Sequence, residues 1–379
     1  MQYRDSIFGS LMKALPRRDF QRFVEKHDGD RYYKEFKSWD HLLALVYGQL
    51  SGTSSLRELE TNWNVQENQH YHLGSGPVKR STLSDANRVR PAAIFAEAFA
   101  ALSQQAQRHL RHEGQEMLRL IDASPIPLSV LSAWAKSNGR TRGLKLHVVY
   151  DPLADRPTAV EITGATVNDI IVGRHFTLEA GATYVFDKAY VDYNWWSQLE
   201  AAGCIFVTRA KANVRFDIIA QRPVPADSNI LQDTVVRIRT KNGKPPARLR
   251  RIRLRRDNGT ILTLLTNDLH RSALAIADLY RLRWQIELLF RWIKQHLKIR
   301  SFLGRSENAV RLQLLAAMIA FLLLRIAASL SRRDLLPIRF ADLARSSLFV
   351  RKPLSHIDKP PPAYDAYRPD PNQMSFAYA

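Results

Sequence analysis

Three acidic residues in this 379-residue chain stand where carboxylates do chemistry. Asp122 ends the largely apolar run MLRLIDAS and Asp187 ends ATYVF before KAY, so each is expected at the C-terminal end of a short strand. In open α/β sheets that edge lines the ligand crevice. If the two strands are neighbours, the carboxylates raise each other's pKa unless a divalent cation holds them. Magnesium is the expected guest, since it takes one or two carboxylates and leaves positions for water and phosphate. Taken singly, either aspartate reads equally well as a turn or helix cap.

The third acid, Glu287, lies in LYRLRWQIELLFRWIKQHLKIR, which the periodicity predicts as one helix from Leu279 to Arg300. At about 100° per residue, Tyr280, Arg283, Glu287 and Lys294 fall within an arc of roughly 60°. Leu279, Leu282, Ile286, Phe290, Ile293 and Leu297 form the apolar face beside it. A carboxylate at the border of a core is costly unless it has a partner or a metal. The plain alternative is an amphipathic helix with an Arg283–Glu287 pair, worth a few tenths of a kcal/mol.

Several elements must position these groups. Residues 1–112 read as helices: Ser38 is expected to cap one whose Trp39, Leu42, Leu43 and Val46 share a face, and Ser55 to cap LRELETNW. Short helices flanked by Lys79, Arg80, Arg88 and Arg90 suit a helix-turn-helix DNA reader, although any small helical bundle looks similar. From Met117 the pattern turns extended. Gly143–Tyr150 and Pro157–Thr163 read as an antiparallel pair, Asn168–Leu178 and Tyr193–Ala202 as helices, and CIFVTR as a strand, which together imply a mixed α/β sheet.

Residues 209–266 break that rhythm. The segment is strongly basic, with TVVRIRT and RLRRIRLR alternating arginine with aliphatics and turn signals at Asn242-Gly243 and Asn258-Gly259. A β insertion is expected, with Arg237, Arg239, Arg251, Arg253 and Arg255 on one face suited to phosphates. Gatekeeper charges on a solvated edge are the alternative. ILTLLTNDL then returns to the sheet, Ser306–Leu330 reads as a buried helix, and the tail from Lys359-Pro360-Pro361-Pro362 is expected to be disordered. The resulting domains are 1–112, 113–208, 209–266, 267–332 and 333–379.

The formal net charge of +20 and pI near 10.2 point to a polyanionic partner, with a ribosomal or membrane-surface role open on charge alone. Cys204 is the single cysteine, which excludes a disulfide framework and a multi-cysteine zinc site and fits a reducing cytoplasm. The N-terminal residues lack the apolar core of a secretion signal. The longest apolar run, Leu314–Leu324, falls short of the roughly 18 residues of a membrane span. His70-x-His72 lacks a third ligand at suitable spacing and reads as a loop feature rather than a metal pair.

Asp122-Ala123-Ser124, Asp187-Lys188-Ala189-Tyr190 and Tyr280, Arg283, Glu287 and Lys294, spaced Y-x2-R-x3-E-x6-K, resemble the three signature blocks of the insertion-sequence-four family of DDE transposases. The resemblance implies an RNase H-like mixed-sheet core with a β insertion and an N-terminal helical DNA-binding domain. It implies that Asp122, Asp187 and Glu287 are the catalytic, metal-binding triad for two magnesium ions, with manganese as substitute. Tyr280, Arg283 and Lys294 are then expected to hold phosphate and DNA. The implied activity is cleavage of element ends to 3′-hydroxyls and their joining to target DNA, by a dimer assembled on double-stranded DNA in the bacterial cytoplasm and without a membrane. Relatives of this kind pass through hairpin ends. That step needs an aromatic to stack an unpaired base, yet residues 209–266 hold only Phe216. Trp284 is nearer the glutamate, though core packing is its ordinary role. A nuclease of the same fold without strand transfer and a non-catalytic DNA-binding derivative are the alternatives.

Overall fold

The computed structural model describes residues 5–360, apart from 111–113, 130, 131, 133, 138, 140, 141, 241, 242, 298, 300, 301 and 332. Asn242, Arg300 and the tail from Pro361 onward, with the disorder expected of it, lie outside the described residues.

Seven helices come first: α1 (Ile7–Met12), α2 (Arg17–Lys26), α3 (Ser38–Ser51), α4 (Leu56–Asn64), α5 (Glu67–Leu73), α6 (Arg80–Val89) and α7 (Ala92–Leu110). Ser55 caps α4, its Oγ accepting the Glu58 N–H at 3.1 Å. At α3 the cap falls one residue earlier than expected. Lys37 is the N-cap, its N–H held by Asp40 at 2.8 Å, while the Ser38 N–H donates to Asp30 at 2.6 Å. Helix α3 is buried on every side from Ser38 to Leu50 rather than along one face. His70 and His72 lie on α5, not in a loop, and His70 stacks on Trp63 at 4.7 Å while bonding its carbonyl. Arg90 is also buried, donating to the Phe36 carbonyl, so it is no surface cation.

The described strands form one nine-stranded sheet. Strands β1 (Leu118–Pro127), β2 (Gly143–Asp151) and β3 (Arg156–Gly164) pair antiparallel; β4 (Thr183–Phe186) and β5 (Ile205–Arg209) run parallel to β1. Helices α8 (Asp169–Gly173), much shorter than the 168–178 expectation, and α9 (Tyr193–Ala201) lie between them in the chain. This is the expected RNase H-like mixed-sheet core. Strands β6 (Arg215–Gln221), β7 (Ile230–Arg239), β8 (Leu249–Arg255) and β9 (Ile261–Thr266) continue it antiparallel, giving the order β3-β2-β1-β4-β5-β9-β8-β7-β6. The insertion thus widens the core sheet, because β9 pairs with both β5 and β8.

The register corrects the expected arginine face. Val236 lies opposite Leu249 and Val235 opposite Arg250, so odd positions of β7 share a face with even positions of β8. Arg237 and Arg239 therefore project from one side of the sheet and Arg251, Arg253 and Arg255 from the other. Arg239 is bound to Asp217, and Arg251 lies 5.2 Å from the Phe216 ring.

Four helices follow: α10 (Ala273–Leu282), α11 (Trp284–His296), α12 (Glu307–Leu330) and α13 (Pro337–Ser346). The single helix expected from Leu279 is two, joined at Arg283. There the bonds Arg283 N–H to Tyr280 O (3.2 Å) and Ile286 N–H to Arg283 O (3.3 Å) tighten the turn to an i to i−3 pattern. Helix α12 is long and apolar enough to cross a membrane, but 83% of its most apolar window is buried inside the molecule. One hydrophobic cluster joins the N-terminal helices, α12 and one sheet face; a second, around Trp195, Trp196, Phe206 and Leu265, fills the other.

Candidate active site

Strand register brings the first two acids together. Ile121 pairs with Phe186, so Asp187, the residue just past β4, comes beside Asp122, which lies within β1 rather than at its C-terminal end as expected, because β1 runs on to Pro127 against β2. Asp187 also serves as a cap, its Oδ1 accepting the Lys188 N–H at 2.6 Å. The period of two along β1 puts Ser124 on the same face as Asp122, and that face meets α11.

From α11 and the joint before it come the remaining groups. Arg283 spans two acids: its Nη2 donates to Glu287 Oε1 at 2.6 Å and its Nη1 to Asp122 Oδ2 at 3.4 Å. Asp122 and Glu287, far apart in sequence, are thus held by one guanidinium. Lys294, two turns on, donates to Ser124 Oγ at 2.6 Å. The buried Tyr280 ring lies 5.8 Å from the Arg283 guanidinium carbon. The projected arc survives the helix joint because Arg283 keeps right-handed helical angles there, φ −49° and ψ −31°.

The electrostatics report the same convergence. Burial raises the Asp122 carboxyl from 3.8 to about 6; the Ala123 N–H and Arg283 oppose the rise, while the Glu287 and Asp187 charges add to it. Burial works against the Arg283 charge, but the Glu287 hydrogen bond and the neighbouring Tyr280, Asp122 and Glu287 hold its proton more tightly than usual. Burial likewise raises the Tyr280 phenol, and Asp187 is among the charges it feels.

Among the described residues, no three His, Cys, Asp or Glu side chains are arranged as a ready ligand set for one ion. The donor chemistry nevertheless fits a hard divalent cation. Asp122 and Glu287 meet on the Arg283 guanidinium, which balances their charge, and Asp187 stands beside Asp122 just past the neighbouring strand.

Three residues hold places that the sequence did not assign them. Ser124 anchors Lys294, and its signal was the two-residue spacing from Asp122. Arg209 ends β5 beside Asp187, because Phe186 pairs with Thr208, and its charge reaches Tyr280. Trp284 is 48% exposed rather than packed in the core, with Arg291 6.0 Å from its ring. The expected phosphate arginines of β7 and β8 are not brought to one patch.

Residues 113–323 match the family described as the transposase DDE domain, and residues 3–75 match a domain family of unknown function. The chain is 53% identical over 304 residues to a Sinorhizobium fredii protein named as the transposase y4zB, covering 78% of this chain and 85% of that one. It is 33% identical over 235 residues to a Geobacillus stearothermophilus protein named as the transposase of insertion sequence element IS5377, covering 61% and 62%. The solved structure of the piggyBac transposase synaptic complex with hairpin DNA resembles this fold, with a TM-score of 0.50, 10% identity, and coverage of 96% of this chain and 84% of that one.

Proposed function

The chain belongs to the transposase DDE domain family, and from that premise we propose that it cuts the ends of an insertion sequence by metal-dependent hydrolysis and joins the freed 3′-hydroxyls to target DNA. The observation that carries this reading is the meeting of Asp122 and Glu287 on one guanidinium, with Asp187 at the neighbouring strand end. In this reading Asp122, Asp187 and Glu287 hold two magnesium ions, or manganese in their place, which when bound supply an activated water and neutralise charge on the leaving oxygen.

The protein's own groups do the rest. Arg283 offers a planar fork of donors that matches a phosphodiester, and Lys294 a compact charge held over the crevice by Ser124. Tyr280 supports the guanidinium from beneath. Arg209 adds a further cation at the end of β5. Arg237, Arg239 and Arg255, exposed on the widened sheet, contribute sequence-independent attraction to double-stranded DNA, as do the partly covered Arg251 and Arg253. Joining two element ends calls for two such crevices, hence a dimer assembled on DNA. A hairpin route is supported by the exposed Trp284 beside Arg283 and by the hairpin DNA named in the piggyBac complex.

Glu287→Gln is the decisive variant. It removes a metal-binding charge at nearly constant shape, so cleavage of end-containing duplexes in magnesium should fall at least about a thousandfold, while gel-shift binding to the same duplexes in chelator, where no metal contributes, is retained. Normal cleavage by this variant would overturn the assignment. Supplying pre-nicked ends separates the full reaction from hydrolysis alone: joined products are expected, and their absence would reduce the protein to a nuclease.

A further inference from the structure

The group standing at the centre of the carboxylate crevice is a cation that belongs to the chain. Arg283 donates to Glu287 at 2.6 Å and to Asp122 at 3.4 Å, while its buried Nε finds no hydrogen-bond partner among the described residues. A divalent ion drawn to the same two carboxylates would meet a like charge already in place. A guanidinium also has a stronger alternative partner in a phosphate, whose oxygens accept its donors in parallel. Its root is at the joint between α10 and α11, where the helical ladder changes pitch.

We propose that Arg283 is the resident counter-ion of the crevice, and that a DNA phosphate, by taking its guanidinium, opens Asp122 and Glu287 to divalent cations. DNA binding and metal loading are then coupled through one side chain. This rests on the metal and DNA roles proposed above. Without DNA, the guanidinium keeps two half-buried carboxylates from repelling each other and suppresses stray metal binding. With DNA it moves to the phosphate, and the crevice charge is left for the metal. Linkage requires the converse as well: metal must tighten DNA binding by the same factor.

The test is manganese binding to the full chain, read from the free-ion paramagnetic resonance signal, with and without a duplex oligonucleotide. In the unaltered protein the duplex should tighten manganese binding about tenfold or more, within the usual span of coupling between sites. Arg283→Gln should bind manganese without DNA about as tightly as the unaltered protein does with it, and the duplex should then add less than about twofold. If Arg283→Gln binds manganese no more tightly than the unaltered protein, or keeps the full DNA effect, the counter-ion role is wrong. Arg283→Lys, which keeps the charge but not the fork, should fall between the two and serves if the glutamine variant does not fold; equality with the unaltered protein at every step overturns the proposal. Glu287→Gln distinguishes the failures. It should lose manganese binding in either background, and unchanged binding there, or no binding by the unaltered protein in any condition, overturns the metal reading and the coupling with it.

Discussion

Asp122 is where the cost of the site is concentrated. Its carboxyl is raised to about 6, first by burial and then by Glu287 and Asp187, which means the folded protein binds its proton more tightly than the unfolded chain does. A group raised in this direction contributes stability below its unfolded value, near 4, and loses it as pH rises through the folded value. Metal-free protein at pH 7.5 therefore carries a penalty at this one position. Asp122→Asn should remove it: in chelator, urea unfolding should show the variant more stable by about 1–3 kcal/mol at pH 7.5, with the difference closing toward pH 4. The same variant should not cleave DNA. A variant equally stable at both pH values would mean that Asp122 is ordinarily solvated and that the crevice is looser than described. The gain in stability on removing an acid is what separates a functional carboxylate from a structural cap, whose loss destabilises.

At the scale of elements, the position of Asp122 depends on the seam between β1 and β2. Gly143 pairs with Pro127 at its end, with φ at +150°, and a Cβ there would come within 2.1 Å of the Ile126 carbonyl oxygen. Backbone cannot yield as a flexible side chain can. Gly143→Ala should cost roughly 2–4 kcal/mol in urea unfolding and lower cleavage in proportion; a change below about 0.5 kcal/mol would show that the seam accommodates it. Strong alternation and apolar runs made most of this sheet legible in advance: β1, β2, β3, β4, β5, β7, β8 and β9 all fall where the sequence places extended runs, and α12 where it places a buried helix. Strand β6 was missed because RFDIIAQ lies largely exposed at the sheet edge and shows no alternation. The joint at Arg283 was missed because a switch to i to i−3 bonds leaves the residue in the right-handed helical region, and periodicity is blind to it. The arginine face was misjudged for another reason. Which residues of two strands share a side depends on register, and register follows from pairing and the bulge near Gln232, not from either strand's own pattern. The strands and helix that carry the three acids were legible because each is strongly patterned, although Asp122 lies within β1 rather than at its end.

The whole molecule is organised on α12. Its buried residues run from Ala309 to Ala327, and it packs against α1, α3, α6 and α7 on one side and against β3, α11 and α13 on others. The helices of residues 1–110 and the catalytic sheet therefore share one core, continuous from Ile7 and Phe8 through Leu42, Phe95 and Leu102 to Met318 and Leu322. Removing the first 110 residues would uncover a broad apolar surface. At about 1.5–3 kcal/mol for each large side chain returned to water, only a handful of exposed residues would match the roughly 5–15 kcal/mol that keeps a typical domain folded. Two consequences can be measured. Scanning calorimetry of the full chain should give one transition with calorimetric and van't Hoff enthalpies in agreement, and a fragment beginning at residue 114 should lack a cooperative transition and bind a hydrophobic dye. Two separate transitions, or a fragment that folds and retains the near-ultraviolet dichroism of Trp195 and Trp196, would show that the catalytic sheet stands alone and that the N-terminal helices are an appended module. If the core is shared, the N-terminal helices have a packed path to the carboxylates through α12 and α11, which are in contact. Engagement at one end would then be felt at the carboxylates without any hinge between domains.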